Sequence, residues 1–225
     1  YKDNPERIVD RLINMKIDRK IGVDILGEGE PKIPHPSDDT WNGISLPWMA
    51  FGYGVSLTPL QQLTFYNAVA NNGEMVKPSF INSIGSIGEK PIYQIDREII
   101  MPSISSRETL KSVKKMLLNV VEKPWGTAHN IYDKDLKIAG KTGTAQVDYT
   151  KDETQYISSF VGYFPADDPK YSSIVVIHKP KKSEGYYGNT VAAPVFKKVA
   201  KKIMNNIPIE ICLLYTSPSP RDRPL

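Results

Sequence analysis

Residues 138–147 read Ile-Ala-Gly-Lys-Thr-Gly-Thr-Ala-Gln-Val, and this stretch decides the fold. It lies in the first of three strand-like runs, which are 137–147, 156–164 and 172–179. The turn Pro-Ala-Asp-Asp-Pro at 165–169 separates the last two runs and gives them a hairpin-like connection. An antiparallel sheet is therefore predicted in this part of the chain.

Four consecutive residues of this stretch, Lys141, Thr142, Gly143 and Thr144, suit a bound carboxylate. The lysine supplies fixed positive charge, and the two threonine hydroxyls donate hydrogen bonds to an anion. The glycine has no side chain, so a peptide can lie against the strand at that position. The pattern fits a strand that binds the acidic end of a peptide-like ligand. The tripeptide alone is also common in strands without this role, so the rest of the chain must decide between the two interpretations.

The composition is that of an ordinary globular protein and excludes several functions. The 225 residues are 40% hydrophobic and 24% charged, with a formal net charge of +4. The lysines are spread in pairs without an arginine-rich block, so nucleic-acid binding is not favoured. The histidines share no ligand spacing and Cys212 stands alone, so we predict neither a metal site nor an internal disulfide.

The start of the chain suggests that it is part of a longer protein. No stretch approaches the roughly 20 apolar residues that a membrane span requires. The chain opens at Tyr1 without a methionine and runs almost directly into a helix. We expect a fragment whose beginning is missing.

Two helices are predicted in the first third of the chain. Asn-Pro at 4–5 supplies an N-cap and a proline at the first helical position. Thr-Pro-Leu-Gln at 58–61 forms a capping box before the second helix, which Asn-Gly at 72–73 ends. Residues 27–47 are rich in glycine and proline, which predicts a long irregular connection that borders a functional site or is poorly ordered.

Two further helices flank the strand-like runs. One is predicted at 106–122, with Ser105 and Glu108 as a capping box, and the other at 190–205. These helices and the strands between them predict an α+β fold in which an antiparallel sheet is covered by helices.

The remaining parts of the chain carry weaker signals. Alternation at 79–86 and 92–96 predicts one or two short strands. Residues 1–208 are expected to form one unit. Residues 209–225 lose all periodicity, carry Ser-Pro repeats and resemble a translated adapter sequence, so we predict a non-native or disordered tail.

Several short motifs follow one another in a definite order. They are Phe-Gly-Tyr-Gly at 51–54, Leu-Thr-Pro-Leu-Gln at 57–61, Gly-Thr-Ala at 126–128, Lys-Thr-Gly-Thr-Ala-Gln at 141–146, Phe-Val-Gly-Tyr-Phe-Pro at 160–165, Tyr-Tyr-Gly at 186–188 and Ala-Ala-Pro-Val-Phe at 192–196. In this order, the set resembles the C-terminal part of the transpeptidase domain of class B penicillin-binding proteins. The motifs at 51–54 and 186–188 most resemble the division-specific, septal branch. The resemblance covers about residues 1–208.

The resemblance implies an incomplete penicillin-binding fold, similar to serine β-lactamases, and a role for each residue of the Lys-Thr-Gly-Thr motif. Lys141 lines a cleft beside the serine of a Ser-x-Asn motif. Thr142 and Thr144 hold the carboxylate of the donor D-alanine or of a β-lactam. The N–H of Thr144 forms the strand half of an oxyanion hole, and Gly143 keeps the strand open.

The resemblance also implies a cellular setting for the parent protein. Its ligands are peptidoglycan stem peptides and β-lactams, and no metal or organic cofactor is implied. Its partners are a membrane glycosyltransferase and division proteins. The catalytic domain is expected on the outer, periplasmic face of the bacterial cytoplasmic membrane. It would be anchored there by a transmembrane helix that is missing from this chain.

The catalytic serine of the family is missing from this chain. The family's Ser-x-x-K and Ser-x-Asn motifs precede the motif at 51–54, and neither occurs before residue 51 here. Ser112-Val113-Lys114-Lys115 matches Ser-x-x-K, but it lies within a predicted helix that is far too late in the chain. Its lysines are interpreted as the solvated face of that helix. We therefore expect no catalytic residue here, and no activity from this chain alone.

Three other functions are compatible with the same fold. A D,D-carboxypeptidase and a class A β-lactamase share it, and a β-lactamase needs a glutamate that positions water. Glu28 and Glu30 lie in the right general stretch, although the surrounding loop shows no such signature. A β-lactam sensor would bind the drug without turnover, and it would carry several upstream membrane spans instead of one.

Overall fold

The computed structural model describes residues 1, 3–81, 83–85, 90, 92–147 and 154–206. Its α-helices and strands, in chain order, are α1 (Glu6–Asn14), α2 (Ser45–Ala50), α3 (Pro59–Ala70), β1 (Met75–Val76), β2 (Ser83–Ile84), β3 (Tyr93–Gln94), β4 (Ile99–Met101), α4 (Arg107–Glu122), β5 (Ala139–Val147), β6 (Gln155–Phe164), β7 (Tyr171–His178), α5 (Gly188–Val191) and α6 (Ala193–Asn205).

The main sheet consists of three antiparallel strands in the order β5-β6-β7. Thr142 of β5 lies opposite Phe160 of β6, and Gly143 lies opposite Ser159. The central strand β6 is largely buried, whereas β5 pairs only with β6 among the described residues and forms an edge. The predicted α+β fold with an antiparallel sheet is confirmed.

Helices cover both faces of this sheet because its side chains alternate between two apolar cores. Ala139 and Tyr163 contribute to a core with residues of α3 and α4. Phe160 and Phe164 contribute to the opposite core, where the ring of Phe196 from α6 meets both edge-on at centroid distances of 4.8 and 5.8 Å. Each such fully buried side chain stabilises the fold by about 1.5–3 kcal/mol.

The small strands form two separate pairs beside the main sheet. β1 pairs with β4 and β2 pairs with β3, all antiparallel. The short strands predicted at 79–86 and 92–96 therefore exist as β2 and β3, although residues 82 and 86 lie outside the described residues.

The start of α3 agrees with the sequence prediction, whereas the starts of α4 and α1 differ from it. Thr58 caps α3, because its Oγ1 accepts the Gln61 N–H at 3.1 Å while the Gln61 side chain accepts the Thr58 N–H at 2.7 Å. The capping box predicted at Ser105 is wrong. The N-cap residue of α4 is Ser106, which has an extended backbone and whose Oγ accepts the Thr109 N–H at 3.2 Å. The N-cap predicted at Asn4 is also wrong, since Pro5 takes the N-cap position of α1 and no side chain caps the helix.

Two other helix boundaries also differ from expectation. The helix predicted at 190–205 is divided into α5 and α6 at Ala192, because Pro194 lies in the first turn of α6 and has no N–H to continue the ladder of α5. The end of the irregular connection predicted at 27–47 is helical, since α2 begins at Ser45.

The tail predicted at 209–225 lies outside the described residues, so it stays a prediction together with the proposed unit 1–208. Within the described part of the chain, no helix combines the length and the apolar character needed to cross a membrane.

Candidate functional site

The free edge of β5 is the centre of the candidate site. In an antiparallel strand, the N–H and C=O groups of consecutive residues point to opposite sides, so those of residues two apart point to the same side. The N–H of Gln146 donates to the hydroxyl of Tyr53 at 3.2 Å, away from β6. Thr144 and Thr142 stand two and four residues earlier, so their backbone groups face the same edge. The edge therefore presents the groups needed to pair with an extended ligand.

Lys141 lies at one end of this edge. Its side chain is exposed, and its Nζ donates a hydrogen bond to the carbonyl of Thr142 at 2.9 Å. The ammonium group thus lies against the edge, within reach of an anion that binds there.

The two threonine hydroxyls each contact a different neighbouring segment. Thr144 Oγ1 accepts the backbone N–H of Gly188 at 3.0 Å. Thr142 Oγ1 lies 3.2 Å from Thr127 Oγ1, and either hydroxyl can donate. Both threonines lie on the same face of β5, because they are two residues apart.

The segment before α5 is held tightly on the sheet. Ser158 Oγ donates to the carbonyl of Tyr186, and the backbone of Gly188 lies directly over the pair Gly143 and Ser159. A Cβ at Gly188 would lie 2.4 Å from the Ser159 carbonyl oxygen and 2.5 Å from that of Gly143. Only glycine allows this close approach, which explains the glycine after the two tyrosines.

Tyrosine rings extend the site beyond the end of β5. The rings of Tyr156 and Tyr186 stack at 4.2 Å, and Tyr186 contacts Tyr187 at 4.4 Å. The ammonium group of Lys182 lies 5.9 Å from the centre of the Tyr156 ring. Tyr186 and Tyr187 thus lie in the loop beside the strand.

The loop that carries the 51–54 motif lies at the Gln146 end of the edge, opposite the end where Lys141 lies. Besides bonding Gln146, Tyr53 packs edge-on against Trp48 at 5.8 Å, and its N–H donates to the carbonyl of Trp48 at 3.0 Å. The motif thus contributes a hydroxyl that occupies one of the edge N–H groups of β5.

The Ser-x-x-K match at Ser112 has a structural explanation. Ser112 and Lys115 are exposed on α4. Lys114 departs from the predicted solvated face, because its Nζ donates at 2.8 Å both to the Ala70 carbonyl and to Asn72 Oδ1 at the end of α3. Burial lowers the pKa of Lys114. These lysines therefore join two helices or face solvent.

Glu28 and Glu30 have local partners of their own. The Glu28 carboxylate accepts the backbone N–H groups of Ile21 at 2.5 Å, Gly22 at 2.9 Å and Val23 at 3.3 Å. Glu30 pairs with Lys20 at 3.0 Å. Glu28 thus holds a turn of the loop through three backbone hydrogen bonds.

The structure brings the predicted site residues together with neighbours that the sequence did not single out. Thr127 and Tyr53 each contribute a hydroxyl to β5. Both belong to motifs that occur in the expected order, and that order was the available signal. Which atom each one contacts was not predictable from it.

Comparison with known proteins now gives the family. Residues 4–201 match the penicillin binding protein transpeptidase domain, and the chain belongs to this family. The predicted resemblance to class B penicillin-binding proteins is thereby confirmed.

Individual relatives and solved structures agree with this assignment. Peptidoglycan D,D-transpeptidase FtsI of Buchnera aphidicola subsp. Baizongia pistaciae is 29% identical over 199 residues, which are 88% of this chain and 33% of the relative. Stage V sporulation protein D of Bacillus subtilis is 32% identical over 201 residues, which are 87% of this chain and 30% of the relative. Penicillin binding protein 3 from Mycobacterium tuberculosis, complexed with aztreonam, has 29% identity and a TM-score of 0.73, covering 91% of this chain and 47% of that one. The chain thus spans about a third of the length of these curated relatives.

Proposed function

We propose that this chain is part of a serine D,D-transpeptidase that crosslinks peptidoglycan stem peptides at the division septum and is acylated by β-lactams. The observation that carries the proposal is the open edge of β5, along which Lys141, Thr142 and Thr144 lie while neighbouring segments hold the two hydroxyls.

The reaction forms and breaks one acyl-enzyme ester. A serine outside this chain attacks the carbonyl between the two terminal D-alanines of the donor, and the terminal D-alanine leaves with a proton on its new amine. The amine of a neighbouring stem peptide then attacks the ester, forms the crosslink and returns the proton to the serine. A β-lactam acylates the serine in the same way as the donor does in the first step. Its amide nitrogen separates from the carbonyl but stays attached to the acyl group through the rest of the opened ring.

Charge and hydroxyl groups on β5 place the acidic end of the donor. The two threonine hydroxyls donate to the donor carboxylate, and Lys141 lies beside it. Coulomb attraction between unit charges at about 4 Å is on the order of 4 kcal/mol near a protein surface, before desolvation is subtracted. Held in this way, the carboxylate fixes the position of the carbonyl one residue away.

The backbone of Thr144 stabilises the charge that develops during the attack. Its N–H faces the free edge, so it donates to the carbonyl oxygen as that oxygen becomes negative. One such donor typically changes the rate by about 10²–10³-fold. Gly143 keeps the edge free of a side chain beside this donor.

The relatives support the same function. One is named a peptidoglycan D,D-transpeptidase, and a structural neighbour was solved with aztreonam bound. By the same likeness, we assign the parent protein to the outer face of the bacterial cytoplasmic membrane, with a membrane glycosyltransferase and division proteins as partners.

Labelling with fluorescent penicillin tests the proposal. The full-length protein should form a covalent band on a denaturing gel, and the 225-residue chain should not, because its sequence lacks the Ser-x-x-K nucleophile in a suitable place. An unlabelled full-length protein would contradict the proposed function. A labelled band at the mass of the short chain would instead show that a nucleophile lies within it and would make Ser112 a candidate again.

A further inference from the structure

The hydroxyl of Thr127 contacts the candidate site, and the steps of the reaction described so far assign it no part in binding the donor carboxylate. Its Oγ1 lies 3.2 Å from Oγ1 of Thr142, and the side chains reach each other across a gap of 15 residues in the sequence. Both hydroxyl groups are near the surface, so a ligand on β5 can reach at least one of them.

The backbone of Thr127 is held rigidly although its side chain is exposed. The next residue, Ala128, is fully buried, and its N–H donates to the carbonyl of Val120 at 3.0 Å. Gly126 packs so closely on the end of α4 that a Cβ there would lie 2.3 Å from the same carbonyl oxygen. The turn therefore presents the Thr127 hydroxyl at a fixed position beside β5.

Hydrogen-bond chemistry gives this contact a direction once a carboxylate is bound. A hydroxyl has one proton to donate and two lone pairs that accept. Thr144 shows the arrangement without ambiguity, since the Gly188 N–H fills an acceptor position and leaves the Thr144 proton for the ligand. If Thr142 likewise donates to the carboxylate, the Thr127 proton must point to Thr142 Oγ1.

We propose that Thr127 is a positioning residue, which donates a hydrogen bond to Thr142 Oγ1 and thereby directs the Thr142 proton to the carboxylate of the donor peptide or β-lactam. The inference rests on the proposed function. Each threonine hydroxyl that donates to the carboxylate then accepts a hydrogen bond from a separate segment of the chain. A hydrogen bond to an anion is strengthened by a second bond behind it, because the chain of bonds is polarised in one direction.

The test compares two probes on the full-length protein. Benzylpenicillin carries the carboxylate, and its methyl ester is neutral at that position. The variants are Thr127→Val, which removes the hydroxyl at nearly constant shape, and Thr127→Ser, which keeps it. Thr109→Val is a matched control, since Thr109 is an exposed threonine whose hydroxyl contacts that of Ser106 at 3.0 Å, away from β5.

The second-order rate constant of acylation is the measured quantity. For benzylpenicillin, Thr127→Val should lower it roughly three- to tenfold, the effect of one lost hydrogen bond. The slow reaction of the methyl ester should be unchanged in the same variant. Thr127→Ser should react with benzylpenicillin within about twofold of the wild type, as should Thr109→Val.

Each other outcome overturns the inference in a recognisable way. An equal loss with both probes would mean that Thr127 only supports the local fold. An unchanged rate in Thr127→Val, or a Thr127→Ser variant as slow as valine, would mean that the hydroxyl does not act. In these cases the wild type is still acylated and the proposed function stands, whereas a wild type that benzylpenicillin does not acylate would remove both.

Discussion

Replacing Gly188 with alanine tests how closely the segment before α5 lies on the sheet. The added Cβ would meet the Ser159 carbonyl oxygen at 2.4 Å and the Gly143 carbonyl oxygen at 2.5 Å. Backbone atoms cannot rotate away, so the segment must move by about 1 Å before these contacts become normal. That movement lengthens the 3.0 Å bond from the Gly188 N–H to Thr144 Oγ1.

The expected cost has two parts. Overpacking of this kind typically costs about 1–3 kcal/mol. A lost hydrogen bond adds about 0.5–1.5 kcal/mol. Gly188→Ala should therefore lower the free energy of unfolding of the full-length protein by about 2–4 kcal/mol, measured in urea. Acylation by penicillin should slow as well, because the Thr144 hydroxyl loses its fixed orientation.

Gly43→Ala is the matched control. Nothing lies within 4 Å of a Cβ at Gly43, and its backbone is outside the left-handed region. This variant should be neutral or stabilised by up to about 1 kcal/mol, because alanine restricts the unfolded chain. If Gly188→Ala behaves like Gly43→Ala in both urea and acylation, the segment does not rest on β5 and the reasoning is refuted.

Three other changes probe the charge, the core and the pH response. Lys141→Met should slow acylation at least about tenfold, because the positive charge is lost. Lys141→Arg should slow it less, because arginine keeps the charge although its longer side chain misplaces the hydrogen bonds to the Ser-x-Asn serine. A methionine variant as fast as the wild type in stopped-flow measurements would refute a role of Lys141 in binding. Tyr163→Phe should raise the free energy of unfolding by about 1 kcal/mol, because the buried Tyr163 hydroxyl has no hydrogen-bond partner among the described residues. Burial also raises the pKa of Tyr163 to about 12. A loss of stability in this variant would instead show that the hydroxyl has a partner elsewhere. A hydrogen bond from Lys201 and further contacts lower the pKa of Asp133 from 3.8 to about 2, so the ionised form is favoured by folding and its contribution is present above pH 3.8 and lost as the pH falls through 2. The stability difference between the wild type and Asp133→Asn should accordingly shrink over that range in urea titrations, and a difference independent of pH would contradict the assignment.

The sequence predicts the sheet well because strand signals are local. The run at 137–147 becomes Ala139–Val147, and the run at 172–179 becomes Tyr171–His178. Alternation of apolar residues and the turn at 165–169 suffice for that. The break at Ala192 was missed because the apolar spacing continues across it, while the geometry of Pro194 interrupts the hydrogen bonds.

The sequence proposes the residues of the candidate site but does not predict their contacts. The residue types of Lys141, Thr142 and Thr144 suit a carboxylate whatever surrounds them. Their neighbours come from distant segments, since Tyr53 bonds a residue 93 positions later and Thr127 one that is 15 positions later. Such pairs depend on the packing of whole helices against the sheet, which a single sequence does not encode in any local pattern.

The hydroxyl of Tyr53 has a consequence for self-association. An exposed sheet edge is a template on which another copy of the chain can add a strand, and proteins guard against this. Tyr53 occupies the N–H of Gln146, and the Lys141 ammonium group covers the carbonyl of Thr142. Among the described residues, a short interval around Thr144 remains open between them. A strand of another protein needs a longer run of unoccupied groups than this, whereas the end of a short peptide fits within it. The contacts of Tyr53 and Lys141 thus limit the addition of a foreign strand at this edge.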